Sequence, residues 1–101
     1  MNYESRHRNM MPKLTLTYSN PFKAGTTIKF SIPEVSDVRL LIYNSNVRLI
    51  QELFQGHLGR GFHSFKWDGR NTENIKVGSG IYYYVLKTKD RRLTKKMLLI
   101  Q

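Results

Sequence analysis

Apolar and polar residues alternate with period two along most of the chain, and turn-forming residues interrupt them at short intervals. Leu14–Tyr18 (L-T-L-T-Y) alternates before Asn20-Pro21 breaks the chain, because Pro lacks an N–H and fixes φ. Thr26–Ile32 places Ile28, Phe30 and Ile32 on one face and Thr27, Lys29 and Ser31 on the other, as a half-buried strand does. Asp37–Tyr43 repeats the pattern with Val38, Leu40 and Ile42 inward, and Asn44-Ser45-Asn46 signals a turn. Val47–Phe54 alternates poorly. Its Ile50 and Leu53 are three apart, which predicts a bulge or a short, twisted edge strand. Gly56, Gly59 and Gly61 predict a loop, with His57 in it. Phe62–Trp67 sets His63, Phe65 and Trp67 on one face, and Asp68–Ser79 is a long turn region. Gly80–Lys89 is apolar on both faces, so a central strand is expected there. Tyr82, Tyr84 and Leu86 share one face, and Ile81, Tyr83 and Val85 the other. A hairpin apex near Asp90 leads to a last strand, Leu93–Ile100.

These signals predict about seven antiparallel strands, no amphipathic helix and no internal repeat. One flat sheet of that length cannot bury itself, so two sheets must face each other. The expected fold is all-β, an Ig-like β-sandwich over 14–101, preceded by a polar N-terminal arm or linker over 1–13. That arm has no apolar run of signal-peptide length.

Composition narrows the chemistry. The 101 residues suffice for one core and not two. No Cys is present, which removes disulfides, thiolate metal sites and a Cys nucleophile. Seventeen Lys and Arg against seven Asp and Glu give a net charge of +10, which points to a negative partner: nucleic acid, anionic lipid or acidic polysaccharide. Lys87, Lys89, Arg91, Arg92, Lys95 and Lys96 concentrate six of those charges in the final hairpin, opposed only by Asp90. The bland reading is a solvated hairpin guarded against edge-to-edge aggregation. The sharper one is a docking surface.

The residues in order resemble a known family. Tyr18-Ser19-Asn20-Pro21-Phe22 is followed by Thr26–Pro33, by Val38-x-Leu40-x-Ile42-Tyr43 and by Gly61-x-His63-x-Phe65-x-Trp67-Asp68-Gly69-Arg70. Val77-x-Ser79-Gly80-Ile81-Tyr82-Tyr83-Tyr84-x-Leu86 and Lys95-Lys96-Met97-x-Leu99 close the chain. This pattern resembles the type A C-terminal sorting domain of type IX secretion cargo, and the related Ig-like domain of flagellar hook-capping (FlgD-like) proteins. The resemblance runs from Tyr18 to Gln101. It marks Asn20, Pro21, Phe22, Trp67, Asp68, Gly69, Gly80, Tyr82 and Tyr84 as structural motif positions. Three positions depart from it. Ser19 replaces a usual Pro, Asn74 replaces a Gly, and Val47 stands where a Gly is usual after the Ile-Tyr strand. Val is poorly suited to φ > 0, so the neighbouring Asn46 is expected to supply the left-handed residue.

The resemblance implies a non-catalytic, secreted or cell-surface module at the end of a longer protein. Outer-membrane export and surface-attachment machinery would read it as a folded signal. An upstream passenger domain is then expected outside this chain. Lys87, Lys89, Arg91, Arg92, Lys95, Lys96 and Met97 are the expected docking residues. A structural assembly module like the hook-capping domain is the first alternative, and a basic module for acidic glycan or nucleic acid the second. Without a major-groove helix or an RRM, KH or OB motif, nucleic acid is not the expected partner.

No catalytic residue, cofactor or metal ligand is expected. His63 reads as a hydrogen-bonded structural histidine, while His7 and His57 lack ligand partners at a useful spacing. Asp68, Asn71, Glu73 and Asn74 read as Asx-turns rather than a Ca²⁺ loop. Trp67 and Tyr84 read as core or tyrosine-corner packing, with a sugar platform as the alternative.

Overall fold

A computed structural model of the chain describes residues 12–16 and 25–101. Residues 1–11 of the expected polar arm and the Asn20-Pro21-Phe22 motif lie outside the described residues, while Lys13, expected to end the arm, opens the first strand. The elements are β1 (Lys13–Leu16), β2 (Thr26–Ile32), β3 (Ser36–Asn44), β4 (Leu49–Leu58), β5 (Gly61–Trp67), β6 (Gly80–Lys87) and β7 (Arg92–Leu99). They form two antiparallel sheets, ordered β1-β2-β5 and β4-β3-β6-β7. The chain crosses between sheets three times, after β2, β4 and β5, giving an Ig-like sandwich.

The core follows the alternation in the sequence. Ile28, Phe30 and Ile32 of β2 face Val38, Leu40 and Ile42 of β3 and Tyr82, Tyr84 and Leu86 of β6, closed by Trp67, Met97 and Leu99. Burying an aliphatic or aromatic side chain of this size contributes about 1.5–3 kcal/mol, so this layer dominates stability. β6 lies between β3 and β7, the central position expected for it.

β4 differs from expectation in its extent. It is a ten-residue edge strand that runs through Gly56 and His57 to Leu58, rather than a short strand followed by a glycine loop. Gly56 belongs in it because a Cβ there would come within 3.1 Å of the Phe54 ring; the missing side chain makes room for the aromatic. The expected irregularity is two bulges. Leu40 pairs with Phe54 and Leu41 with Glu52, which skips Leu53; Ile42 pairs with Gln51 and Tyr43 with Leu49, which skips Ile50. Each extra residue shifts the alternation by one. Ile50, Leu53 and Phe54 can therefore all pack against the core.

The β3–β4 turn overturns another expectation. Asn44 accepts a bond from the Val47 N–H and donates its own N–H to the Arg48 carbonyl, while its Oδ1 accepts from the N–H groups of Asn46 and Arg48. The fourth residue of this five-residue turn must be left-handed, and that residue is Val47 itself, with φ +62°. Asn46 does not take the role, because turn position and not residue preference decides. The same turn recurs at Asn71–Ile75: Asn71 plays the part of Asn44, with its Oδ1 accepting from Glu73 and Ile75. There the left-handed residue is Asn74, φ +66°, as expected. The protein thus builds one turn twice, once with a tolerant residue and once with a strained one.

A left-handed L-residue costs about 1–2 kcal/mol, and Gly recovers this less about 0.5–1 kcal/mol of backbone entropy. Val47→Gly and Val47→Asn are therefore expected to raise the thermal midpoint by a few degrees, on the scale of about 4–8 °C per kcal/mol. Asn74→Val should lower it. Thermal melts of the three variants check this.

Candidate functional site

The β5–β6 crossover carries most of the motif residues, and polar bonds hold it. Trp67 is buried at the end of β5. Its indole N–H donates to the Arg70 carbonyl at 2.9 Å, and its ring meets that of Tyr82 edge-on, centroids 5.4 Å apart. Asp68 Oδ1 accepts the Arg70 N–H, an Asx-turn. Gly69 turns the chain at φ +78°. The Gln51 amide donates to the Asn71 carbonyl at 3.0 Å. The Gln101 amide donates to the carbonyls of Gly69 and Val77, and the Gln101 N–H to Ser79 Oγ. A Cβ on Gly69 would stand 3.0 Å from that Gln101 amide nitrogen.

Tyr82 supplies the tyrosine-corner bond, its hydroxyl donating to the Gly78 carbonyl four residues upstream at 2.7 Å. Tyr84, read from the sequence as core or tyrosine-corner packing, is fully buried in the core. Burial raises the Tyr82 hydroxyl above its ordinary pKa.

Each of the two described histidines has a hydrogen-bonding partner. His63 Nε2 bonds the Gly59 carbonyl at 2.8 Å, and its ring lies against Phe30. His57, on β4 and not in a loop, pairs through Nδ1 with Asp37. Both side chains are largely exposed, beside a cleft of about 680 Å³ between the 33–37 turn and the β6–β7 hairpin. Among the described residues no cluster of His, Asp and Glu could hold a metal ion.

The predicted docking residues do not form one patch. Lys89 and Arg91 sit at the hairpin tip. Lys87, Arg92 and Lys96 point to the outer face of the four-stranded sheet: Lys87 pairs across to Arg92, and Tyr83 to Lys96. Lys95 stands opposite the inward Tyr84, yet stays exposed because β7 is a sheet edge. Met97 cannot belong to a docking surface; it is wholly buried opposite Tyr82, because its parity along β7 is that of the core.

That outer face holds what sequence reasoning missed. Tyr43 pairs with Tyr83 and Leu41 with Val85 across β3 and β6. Leu41 and Val85 are buried although they point away from the core. A groove of about 220 Å³ opens there between the β3–β4 turn and β7, its lining including Tyr43, Asn44, Val47, Tyr83, Val85 and Arg92. The outward residues of β6 carried the signal, since Ile81, Tyr83 and Val85 are apolar where a solvent face would be polar.

Comparison with known proteins places this architecture. The profile of the FlgD Ig-like domain matches residues 15–91. The chain belongs to that family. No curated protein matches it. Among solved structures, dimeric latent PorU from Porphyromonas gingivalis is similar with a TM-score of 0.70 and 22% identity, over 89% of this chain and 9% of that one. PorZ of P. gingivalis, described as an essential bacterial surface component of the type IX secretion system, gives 0.55 and 18% over 89% of this chain and 11% of its own. FlgD from P. aeruginosa gives 0.61 and 18%, over 86% of this chain and 68% of that chain. The FlgD-type domain thus shares its fold with these three, and spans about a tenth of the length of PorU and PorZ. It is a structural Ig-like module.

Three substitutions separate core from surface in this module. Tyr82→Phe removes the bond to the exposed Gly78 carbonyl, which water can then solvate, and should cost about 0.5–1.5 kcal/mol. A hydroxyl whose pKa is raised on folding contributes stability that is complete below the unfolded value near 10 and is lost as pH rises above it. The gap between wild type and Tyr82→Phe in denaturant titrations should therefore be constant from pH 7 to 9 and narrow above pH 10. Met97→Ala should cost about 2–5 kcal/mol, while Lys95→Ser stays within about 0.5 kcal/mol, in the same titrations.

Proposed function

We propose that this FlgD-type domain is a non-catalytic sorting and cell-surface attachment module, read in its folded state by type IX secretion machinery. The observation that carries the reading is the run of motifs from Tyr18 to Lys95-Lys96-Met97-x-Leu99, in the order of type A sorting domains. The shared fold with a part of PorU and of PorZ supports it. The partner is a protein of the outer-membrane export and attachment apparatus. The passenger is a domain upstream of this chain, and the working location is the cell surface.

A folded signal must offer a surface that the unfolded chain lacks. The exposed residues of β7 and of the outer β3-β6-β7 face meet that need, because strand pairing brings Tyr43, Tyr83 and Lys96 side by side. A second reading, a structural assembly module, is favoured by the match to 68% of the FlgD chain.

Fusing the full 101-residue chain behind an exported reporter, in a cell with a type IX apparatus, tests the proposal. Surface display of the reporter is expected. A reporter retained in the periplasm while its domain is folded and protease-resistant would overturn it. Self-association, or docking to a filament subunit without display, would favour the assembly reading.

A further inference from the structure

The groove on the outer face of the four-stranded sheet has three properties that the sandwich itself does not require. Its floor is apolar, with Val85 buried on a face that no further described strand covers. Its lip is Val47, an apolar side chain 74% exposed on a residue held at φ +62°. The matching turn shows that Asn serves the same position without that strain. Strain kept at an exposed site is a mark of function rather than packing. The rim is cationic: Arg92 lines the groove, and Lys96 pairs across from Tyr83 on the same outer face. Among the described residues no carboxylate lines the groove, and the nearby Glu52 is engaged by Arg39 at 2.8 Å.

We infer that this groove binds an acidic protein segment through one aliphatic or aromatic side chain, seated between Val47 and the two tyrosines and flanked by carboxylates facing Arg92 and Lys96. A pocket of this size takes one such anchor, and aromatic walls with a charged rim are the anatomy of a binding hot spot. A second copy of this chain is a poor occupant, since each carries +10. A nucleic-acid strand needs cations repeated along its track, whereas here they bracket a single apolar depression. The inference rests on the protein-docking part of the function proposed above. Peptide binding in vitro tests it apart from export.

The test is an amide NMR titration of the full ¹⁵N-labelled chain with the hexapeptide Glu-Glu-Leu-Phe-Asp-Glu. The controls are Glu-Glu-Gly-Gly-Asp-Glu, Lys-Lys-Leu-Phe-Lys-Lys and hexathymidylate. Saturable shifts are expected at Val47, Tyr83, Val85 and Thr94, with at least fivefold weaker binding of every control. Val47→Gly should weaken the hexapeptide at least threefold while melting no lower than wild type. The double variant Arg92→Glu, Lys96→Glu should weaken it at least tenfold. Several results would overturn the inference: no saturable shift, equal affinity for the Gly-Gly peptide or hexathymidylate, shifts centred on Lys89 and Arg91, or unchanged binding by Val47→Gly. Since Val47→Gly relieves strain, misfolding cannot explain its loss of binding.

Discussion

The indole of Trp67 sets the geometry on which the two sheets depend. A buried indole N–H needs an acceptor, and here it takes the Arg70 carbonyl, three residues further on. That bond turns the chain directly after β5 and starts the crossover from the three-stranded to the four-stranded sheet. Once turned, the crossover presents carbonyls that Gln51 of β4 and Gln101 beyond β7 occupy, while Tyr82 of β6 closes on Gly78. Four strands of two sheets therefore meet at a loop that would otherwise be an irregular linker. The motif residues Asp68 and Gly69 are turn and approach positions in this arrangement, which is why they need no reactive chemistry.

The sandwich presents one packed face and two outer ones, and the outer faces differ. In the four-stranded sheet, tyrosines and aliphatic residues occupy positions that solvent would favour for polar groups, with cations around them. The buried face accounts for stability. The outer face, with its strained turn, is where stability has been given up, a division common where a rigid scaffold carries a binding surface.

Much of this was legible in the chain. β2 and β3 follow strict alternation, so Ile28, Phe30, Val38 and Leu40 could be placed in the core from parity alone. The limits lie where a single residue breaks parity or where tertiary geometry overrides preference. Ile50 and Leu53 announced the bulges by their spacing, but only the pairing with β3 shows that each bulge resets which side chains face inward. Gly56 read as a loop residue because its partner, the ring of Phe54, is invisible to a propensity argument. Val47 read as unfit for the left-handed position, yet turn geometry imposed it. Met97 fell inside a run of cations and was counted with them, although its parity matches Leu99 and not Lys96. The groove was missed for a related reason: its walls come from β3, β6, β7 and a turn, and no one segment carries its pattern.

The bonds from Gln101 to the crossover have a consequence for the timing of folding. β7 closes one edge of its sheet, contributes Met97 and Leu99 to the core, and is followed by Gln101, which braces a loop begun some thirty positions earlier. Contacts so far apart in sequence form late. In a chain made from its N-terminus, neither the finished core nor the surface shared by β6 and β7 can exist until synthesis has passed residue 101. A partner that recognises this surface would thereby be recognising that the polypeptide is complete through this domain, and would ignore chains truncated before it.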